Sequence, residues 1–152
     1  EKERQLMDLL CPICGAPLAK GEKALVCPGH HSFDIARQGY VNLLPVQQKH
    51  SQDPGDTREQ VLSRRAFLDT GTYAPILEAL IEAAREYGAS GELLDVGCGE
   101  GYYCAGLSQA LGLPLTGVDI SKEAVRAAAA RYKSKKAEAM ACTIKVRLVR
   151  MA

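Results

Sequence analysis

No run of apolar residues in this chain approaches the length of about 20 that a bilayer crossing needs. The N-terminal stretch EKERQLMDLL is charged and holds no apolar signal-peptide core. Both absences argue against a membrane protein and against export, so the chain is expected in the cytoplasm. Disulfides are rare there, which makes the six cysteines expected metal ligands and small buried residues rather than bridges. Nor does either sign of charge dominate: 19 Lys and Arg against 18 Asp and Glu give a formal net charge of +1. The balance is uneven along the chain, because from Lys122 onward nine Lys or Arg face two Asp or Glu. A basic end of this kind fits an RNA-facing surface or a solvated tail equally. Hydrophobic content of 47% with 24% charge excludes a disordered chain. At 152 residues there is room for one ordinary domain, or for a small module attached to part of a larger one.

What is present begins with cysteine. Cys11-Pro-Ile-Cys14-Gly and Cys27-Pro-Gly-His30-His31 are separated by twelve residues, giving C-x2-C-x12-C-x3-H. This is the spacing of a tetrahedral zinc site. Two thiolates three positions apart on a tight knuckle reach one ion, Gly15 permits the turn, and a predicted strand over 23–26 brings in the second knuckle. His30 and His31 compete for the fourth place. Three thiolates and one imidazole leave no open coordination position, which predicts a structural site. A module this small has little apolar core, so the metal would supply much of its folding free energy. The following residues, SFDIARQGYVNLLP, are expected to pack on the knuckles through Phe33, Ile35, Tyr40, Val41, Leu43 and Leu44.

Asp53-Pro54-Gly55-Asp56 is a strong turn signal. Asp56 then reads as an N-cap, with Glu59 completing a capping box, for a helix running to about Asp69 and stopping at Gly71. Its Arg64-Arg65 pair reads as a solvated face or a phosphate contact. Pro75 opens a second helix through Tyr87, in which Ile76, Leu77, Leu80, Ile81 and Ala84 recur at helical spacing and predict core scaffolding. Next comes LLDVGCGEGYY at 93–103. Leu93 and Leu94 open a predicted strand, Asp95 stands near its carboxyl end, and Gly97, Gly99 and Gly101 turn the chain into a helix over 102–111. Glycine has no Cβ, so the backbone of such a turn can approach a ligand closely. The spacing is D-x-G-x-G-x-G, and Tyr102 stands where a dinucleotide fingerprint would need its last glycine. That favours S-adenosylmethionine (SAM) over a dinucleotide. A second strand is predicted over 115–118, ending in Asp119, and Ser121 caps a helix to about Tyr132. Strand, loop, helix, strand, helix is the grammar of a doubly wound parallel sheet, and Asp119 falls where such folds set a carboxylate against ribose hydroxyls. Alternation over 143–151 predicts one more strand with Ile144, Val146 and Leu148 inward.

The stretches CPICGAPL, C-x3-H-x-FD, ARQGYVNLLPVQ, SQDPGD, RRAFLDTGTY, DVGCGEGYY and GVDISKEAV together resemble the RlmA-type 23S rRNA (guanine-N1) methyltransferases over about residues 10–132. The resemblance implies an α/β protein, with a small N-terminal zinc-binding module and a Rossmann-like SAM-dependent methyltransferase fold built on a parallel sheet. It implies transfer of the SAM methyl group to a guanine N1 in a stem-loop of 23S ribosomal RNA. By matching positions it implies Cys11, Cys14, Cys27 and His31 as ligands of a structural Zn2+ in a module that helps recognise the RNA. It implies Tyr73 as a SAM contact, Asp95, Gly97, Gly99, Gly101 and Tyr102 in and around the cofactor loop, and Asp119 as the second-strand carboxylate. Pairing of two copies into an RNA cleft is a further expectation from relatives with such a module. No residue is marked as acceptor of the guanine N1 proton, so no catalytic residue is assigned. The expected division is an extension over 1–10, the zinc module over 11–45, linker and scaffold helices over 46–91, and the first half of the methyltransferase domain over 92–152. Truncation or a frame shift after about 132 is the expected cause of that shortness. The alternative expectation is a zinc-containing RNA-binding fragment without turnover.

Overall fold

Two sheets divide the strands of this chain, and one strand from near the N-terminus belongs to the larger of them. The computed structural model describes residues 8–48, 52–138 and 146–151. Three short strands, β1 (Ala19–Lys20), β2 (Ala24–Val26) and β3 (Ser32–Asp34), form an antiparallel sheet in that order. The larger sheet contains β4 (Tyr40–Asn42), β5 (Leu93–Val96), β6 (Leu115–Asp119) and β7 (Val146–Arg150). Its order is β4-β7-β6-β5, and every neighbouring pair is parallel. Parallel neighbours need crossovers, which the helices supply. Helix α3 (Tyr102–Leu111) joins β5 to β6, and α4 (Lys122–Glu138) leads from β6 towards β7. Two further helices, α1 (Arg58–Asp69) and α2 (Ala74–Glu86), precede β5.

The apolar run Tyr40-Val41 explains why β4 can enter the larger sheet, since successive side chains of a strand point to opposite faces. Tyr40 joins Cys98, Cys104, Leu115, Val125, Ala128 and Ala129 in one core. Val41 joins Leu9, Leu25, Leu43 and Val149 in another. The core of the N-terminal module is thus continuous with the sheet through Val41, Leu43 and Val149. Each fully buried side chain of this type contributes about 1.5–3 kcal/mol. Tyr40 turns away from the knuckles it was expected to cover.

The strand expected over 143–151 is present as β7, inside the sheet and not at its edge. Ile144 lies outside the described residues; at the end of the strand Val149 is wholly buried and Arg150 nearly so. β7 lies between β4 and β6, and Val149 and Arg150, which point to opposite faces, are both buried, so at this end the strand is covered on both sides.

Helix α1 begins one residue later than Asp56 predicts. Thr57 is its N-cap and Gln60 completes the box: the Thr57 N–H donates to Gln60 Oε1 at 2.8 Å, and the Gln60 N–H to Thr57 Oγ1 at 3.3 Å. Asp56 is committed elsewhere, its carbonyl accepting the Ser121 hydroxyl at 2.6 Å and its carboxylate pairing with Arg64 at 3.4 Å. Arg65 pairs with Asp69 one turn on, at 3.8 Å. Both arginines lie at the surface, where such pairs contribute little. The turn before α1 is pressed onto α4: a Cβ added at Gly55, whose φ is +90°, would lie 2.8 Å from Ser121 Cβ. Gly55→Ala is therefore expected to lower stability by about 2–3 kcal/mol, read as a shift in the denaturant midpoint.

The prediction of core scaffolding is corrected for α2. None of its residues is buried, and Ile76 and Leu80 remain 46% and 43% exposed. Helical spacing identifies an apolar stripe whether or not anything covers it. α2 packs on α3, where Leu77 occupies the space over Gly106 so closely that a Cβ there would fall 2.5 Å from Leu77 Cδ2. At the outer strand β5, Leu94 and Val96 are likewise exposed.

Candidate functional site

Two knuckles at the N-terminal end bring four ligand atoms together. Gly15 N–H closes the first by donating to the Cys11 carbonyl at 2.8 Å, and His30 N–H closes the second onto the Cys27 carbonyl at 2.9 Å. The Sγ atoms of Cys11, Cys14 and Cys27 and a ring nitrogen of His31 all lie within 4.8 Å of one another. Cys14 Sγ is 3.6 Å from Cys27 Sγ, and His31 Nδ1 is 3.6 Å from Cys11 Sγ and 3.4 Å from Cys27 Sγ. A zinc tetrahedron with bonds of about 2.3 Å to sulfur and about 2.0–2.1 Å to nitrogen has edges of about 3.8 and 3.5 Å. The donor set therefore fits Zn2+ in both chemistry and size, with all four corners taken by protein. His30 is exposed, sits at φ +66° and stands outside the group, so His31 is the imidazole at the site. Burial pushes the Cys11 thiol up, but hydrogen bonds from the backbone of Cys14 and Ile13 and from the neighbouring thiols outweigh it and bring it down to about 7. A thiol so placed yields its proton readily to a metal.

The second site lies at the carboxyl ends of β5 and β6. The Gly97 and Cys98 N–H groups both donate to the Val118 carbonyl, at 2.7 and 2.9 Å. The Gly99 N–H donates to Asp119 Oδ2 at 2.9 Å, while Asp119 Oδ1 accepts from the Ser121 N–H at 2.8 Å. The glycine turn is thereby hung on the end of β6, and Asp119 is oriented by two backbone amides. Burial, and then the charge of Asp119, raises the pKa of the half-buried Asp95. Two carboxylates facing one loop favour a cationic ligand. Gly101 is the N-cap of α3 at φ +89°, and a Cβ there would meet Ala128 Cβ at 3.0 Å. Only glycine lets the loop come this close to α4. Cys98 and Cys104 lie buried beneath the loop, and a hydrogen bond with Cys104, together with burial, pushes the Cys98 thiol up, so Cys98 is not poised as a nucleophile.

Asp95, Gly97, Gly99, Gly101, Tyr102 and Asp119 are thus gathered at one edge of the sheet. Tyr73 stands at the N-cap of α2, its ring edge-on to Phe67 with centroids 4.9 Å apart. Burial, and then the charges of Tyr102, Tyr73 and Glu100, raise the pKa of Tyr103. Sequence reasoning missed Glu100, Arg131 and Asp69, which form an ion-pair cluster behind the loop, Glu100 and Arg131 buried and Asp69 at the surface. A signal was available: Arg131 falls at helical spacing after Val125 and Ala128, on the apolar stripe of α4.

A glycine turn hung on the next parallel strand, with that strand's terminal carboxylate beneath it, defines the Rossmann-like SAM-dependent methyltransferase class, here joined to a Cys3His zinc ribbon. Residues 9–52 match the family described as "RlmA, N-terminal", and residues 93–150 match "Methyltransferase domain". The chain is 42% identical over 128 residues to a protein of Streptomyces fradiae named 23S rRNA (guanine(748)-N(1))-methyltransferase, covering 80% of this chain and 44% of that one. It is 41% identical over 147 residues to a putative 23S rRNA (guanine-N(1)-)-methyltransferase of Micromonospora griseorubida, covering 82% and 48%. A putative enzyme of the same description from Bacillus subtilis (strain 168) is 31% identical over 137 residues, covering 81% and 46%. The chain belongs to the RlmA-type family. It spans about half the length of these relatives. Among the described residues no helix is long and apolar enough to cross a membrane.

Proposed function

We propose that this chain serves SAM-dependent methylation of a guanine N1 in a stem-loop of 23S ribosomal RNA. The observation that carries the reading is the bond from Gly99 N–H to Asp119, which fixes an open glycine turn over the carboxyl ends of two parallel strands. The names of the relatives supply the substrate class. SAM, when bound, supplies an electrophilic methyl group. What the chain's own residues do is bind and orient. Asp119 would receive the ribose hydroxyls, and Gly97, Gly99 and Gly101 would let the backbone approach the cofactor. Asp95 and Asp119 would offset the cofactor's positive charge, and Tyr73 and Tyr102 would shield it from water. In-line placement and water exclusion are most of what such a displacement requires. The guanine N1 proton must leave, and no side chain in this site is assigned to take it.

In the same reading Cys11, Cys14, Cys27 and His31 hold a structural Zn2+, and the ribbon over 11–45 contributes to RNA recognition together with the basic stretch after Lys122. Residues 46–91 then serve as linker and scaffold, and 92–152 as the methyltransferase portion. Work on ribosomal RNA belongs in the cytoplasm, and two copies would pair to form an RNA cleft, which light scattering of the purified chain checks. The function is tested by incubating the chain with methyl-labelled SAM and a 23S rRNA stem-loop fragment. Label recovered as N1-methylguanine is the expected result. RNA binding without any label in the RNA would instead support a zinc-containing RNA-binding fragment.

A further inference from the structure

Behind the glycine turn one arginine meets two carboxylates from different elements. Arg131 Nε donates to Glu100 Oε2 at 2.9 Å, and Nη2 of the same fork donates to that same oxygen. Its Nη1 donates to Asp69 Oδ1 at 2.9 Å. The other oxygen of Glu100, Oε1, accepts the Tyr102 N–H at 2.9 Å, and the Arg131 guanidinium lies 5.8 Å from the centre of the Tyr102 ring. Arg131 and Glu100 are 7% and 3% exposed. Charges so deeply placed are tolerated only when paired and hydrogen-bonded, and here each guanidinium nitrogen of Arg131 and both oxygens of Glu100 have a partner. Burial works against the guanidinium charge, but the bonds to Glu100 and Asp69 outweigh it and raise its pKa further.

The arrangement divides the loop into two halves held by different partners. Gly97, Cys98 and Gly99 are held by the end of β6, through Val118 and Asp119. Glu100 and the first amide of α3 are held instead by α4, through Arg131. The third contact extends the hold beyond the loop. Asp69 ends α1 and stands four residues before Tyr73, on the turn that carries the chain into α2. A single guanidinium therefore spans the glycine loop and the turn bearing Tyr73. Neutralising Glu100 also leaves Asp95 and Asp119 as the carboxylates that face the loop's ligand.

We propose that Arg131 is a positioning residue for the cofactor site, fixing the spacing between the glycine loop and the Tyr73 turn by bridging Glu100 to Asp69. The proposal rests on the reading of that loop as the SAM site. Lysine cannot replace it in full, because a point ammonium lacks the planar fork that reaches both carboxylates. The test compares Arg131→Met, Arg131→Lys and Asp69→Asn with the unaltered chain, by amide hydrogen exchange and by calorimetric titration with SAM. Arg131→Met is expected to speed exchange of the Gly101 and Tyr102 amides about tenfold while β6 amides keep their protection, and to weaken SAM about tenfold. Arg131→Lys is expected to fall between, and Asp69→Asn to loosen residues 70–73 while Tyr102 stays protected. If Arg131→Met does not fold, Glu100→Gln is read in its place, since it keeps an acceptor for Tyr102 N–H while removing the charge that Arg131 answers. Loop amides exchanging as in the unaltered chain, or protection lost evenly across the molecule, would overturn the proposal. Failure of the unaltered chain to bind SAM would count against the cofactor reading, while the exchange data still decide whether Arg131 holds the loop.

Discussion

Cys14→Ser is expected to empty the metal site and to unfold the N-terminal module before any other part of the chain. Cys14 is the exposed corner of the cluster, 3.6 Å from Cys27 Sγ, so its loss opens the tetrahedron to water. Binding of a structural zinc is worth roughly 10–16 kcal/mol in apparent terms. The module's own buried side chains, Leu9 and Leu25 among them, supply only about 1.5–3 kcal/mol each. Metal analysis of the variant should find little zinc, and hydrogen exchange should show residues 11–35 losing protection first. β4 should follow in part, because Val41 and Leu43 lean on Leu9 and Leu25 on one side and on Val149 on the other. The glycine turn, anchored on β6 and α4, should be spared. A variant that retained a full complement of zinc would contradict the site.

Gly101→Val is expected to damage the second site as severely. The backbone at Gly101 is left-handed, and a branched Cβ there would be driven into Ala128, whose Cβ and Cα lie 3.0 and 3.2 Å away. Left-handed strain and overpacking together cost roughly 2–5 kcal/mol. The loop can relieve the clash only by lifting off α4, which would break the Glu100–Arg131 contact and pull Tyr102 out of register. SAM affinity should accordingly fall by about a hundredfold, the equivalent of about 2.7 kcal/mol. Gly112 provides the control, since it is also left-handed but has nothing within 4 Å of an added Cβ. Gly112→Ala should show only the backbone strain, about 1–2 kcal/mol, with SAM binding intact. Equal effects at the two positions would mean that the approach to Ala128 is unimportant.

The parts of the two sites that could be read from the sequence are those governed by local chemistry. Two cysteine knuckles announce themselves by spacing, and a strand followed by three alternating glycines needs no partner to be recognised. Ser121 was legible as a cap for the same reason, and its hydroxyl accepts the Ala124 N–H at 3.1 Å. What escaped depends on residues far apart. Asp56 and Thr57 are both good N-caps, and the choice is settled by a hydroxyl 65 positions away that takes the Asp56 carbonyl. Glu100 and Arg131 are 31 apart, and Arg131 and Asp69 are 62 apart, distances at which no spacing rule applies. Tyr40 and Val41 were legible as apolar surface, but nothing around them says that they form a strand or which of two sheets it will join. Periodicity in α2 indicated a face, and packing left that face open.

That same segment has a consequence for the order of events in folding. Tyr40 pairs with Leu148 and Asn42 with Arg150, so a strand from the first third of the chain must wait for its partner at the far end. At a synthesis rate of about 5–20 residues per second, the 108 positions between them correspond to a delay of roughly 5–20 s. During that interval the metal-bound ribbon can form from local contacts, while β4 carries unsatisfied backbone and the exposed Val41 side chain. Long-range parallel pairing is slow to close and prone to the wrong partner. Early capture of zinc would set Leu9 and Leu25 against Val41 before β7 is made, so that mainly the backbone of β4 still waits for its partner, which gives the metal a kinetic role in assembly as well as a thermodynamic one.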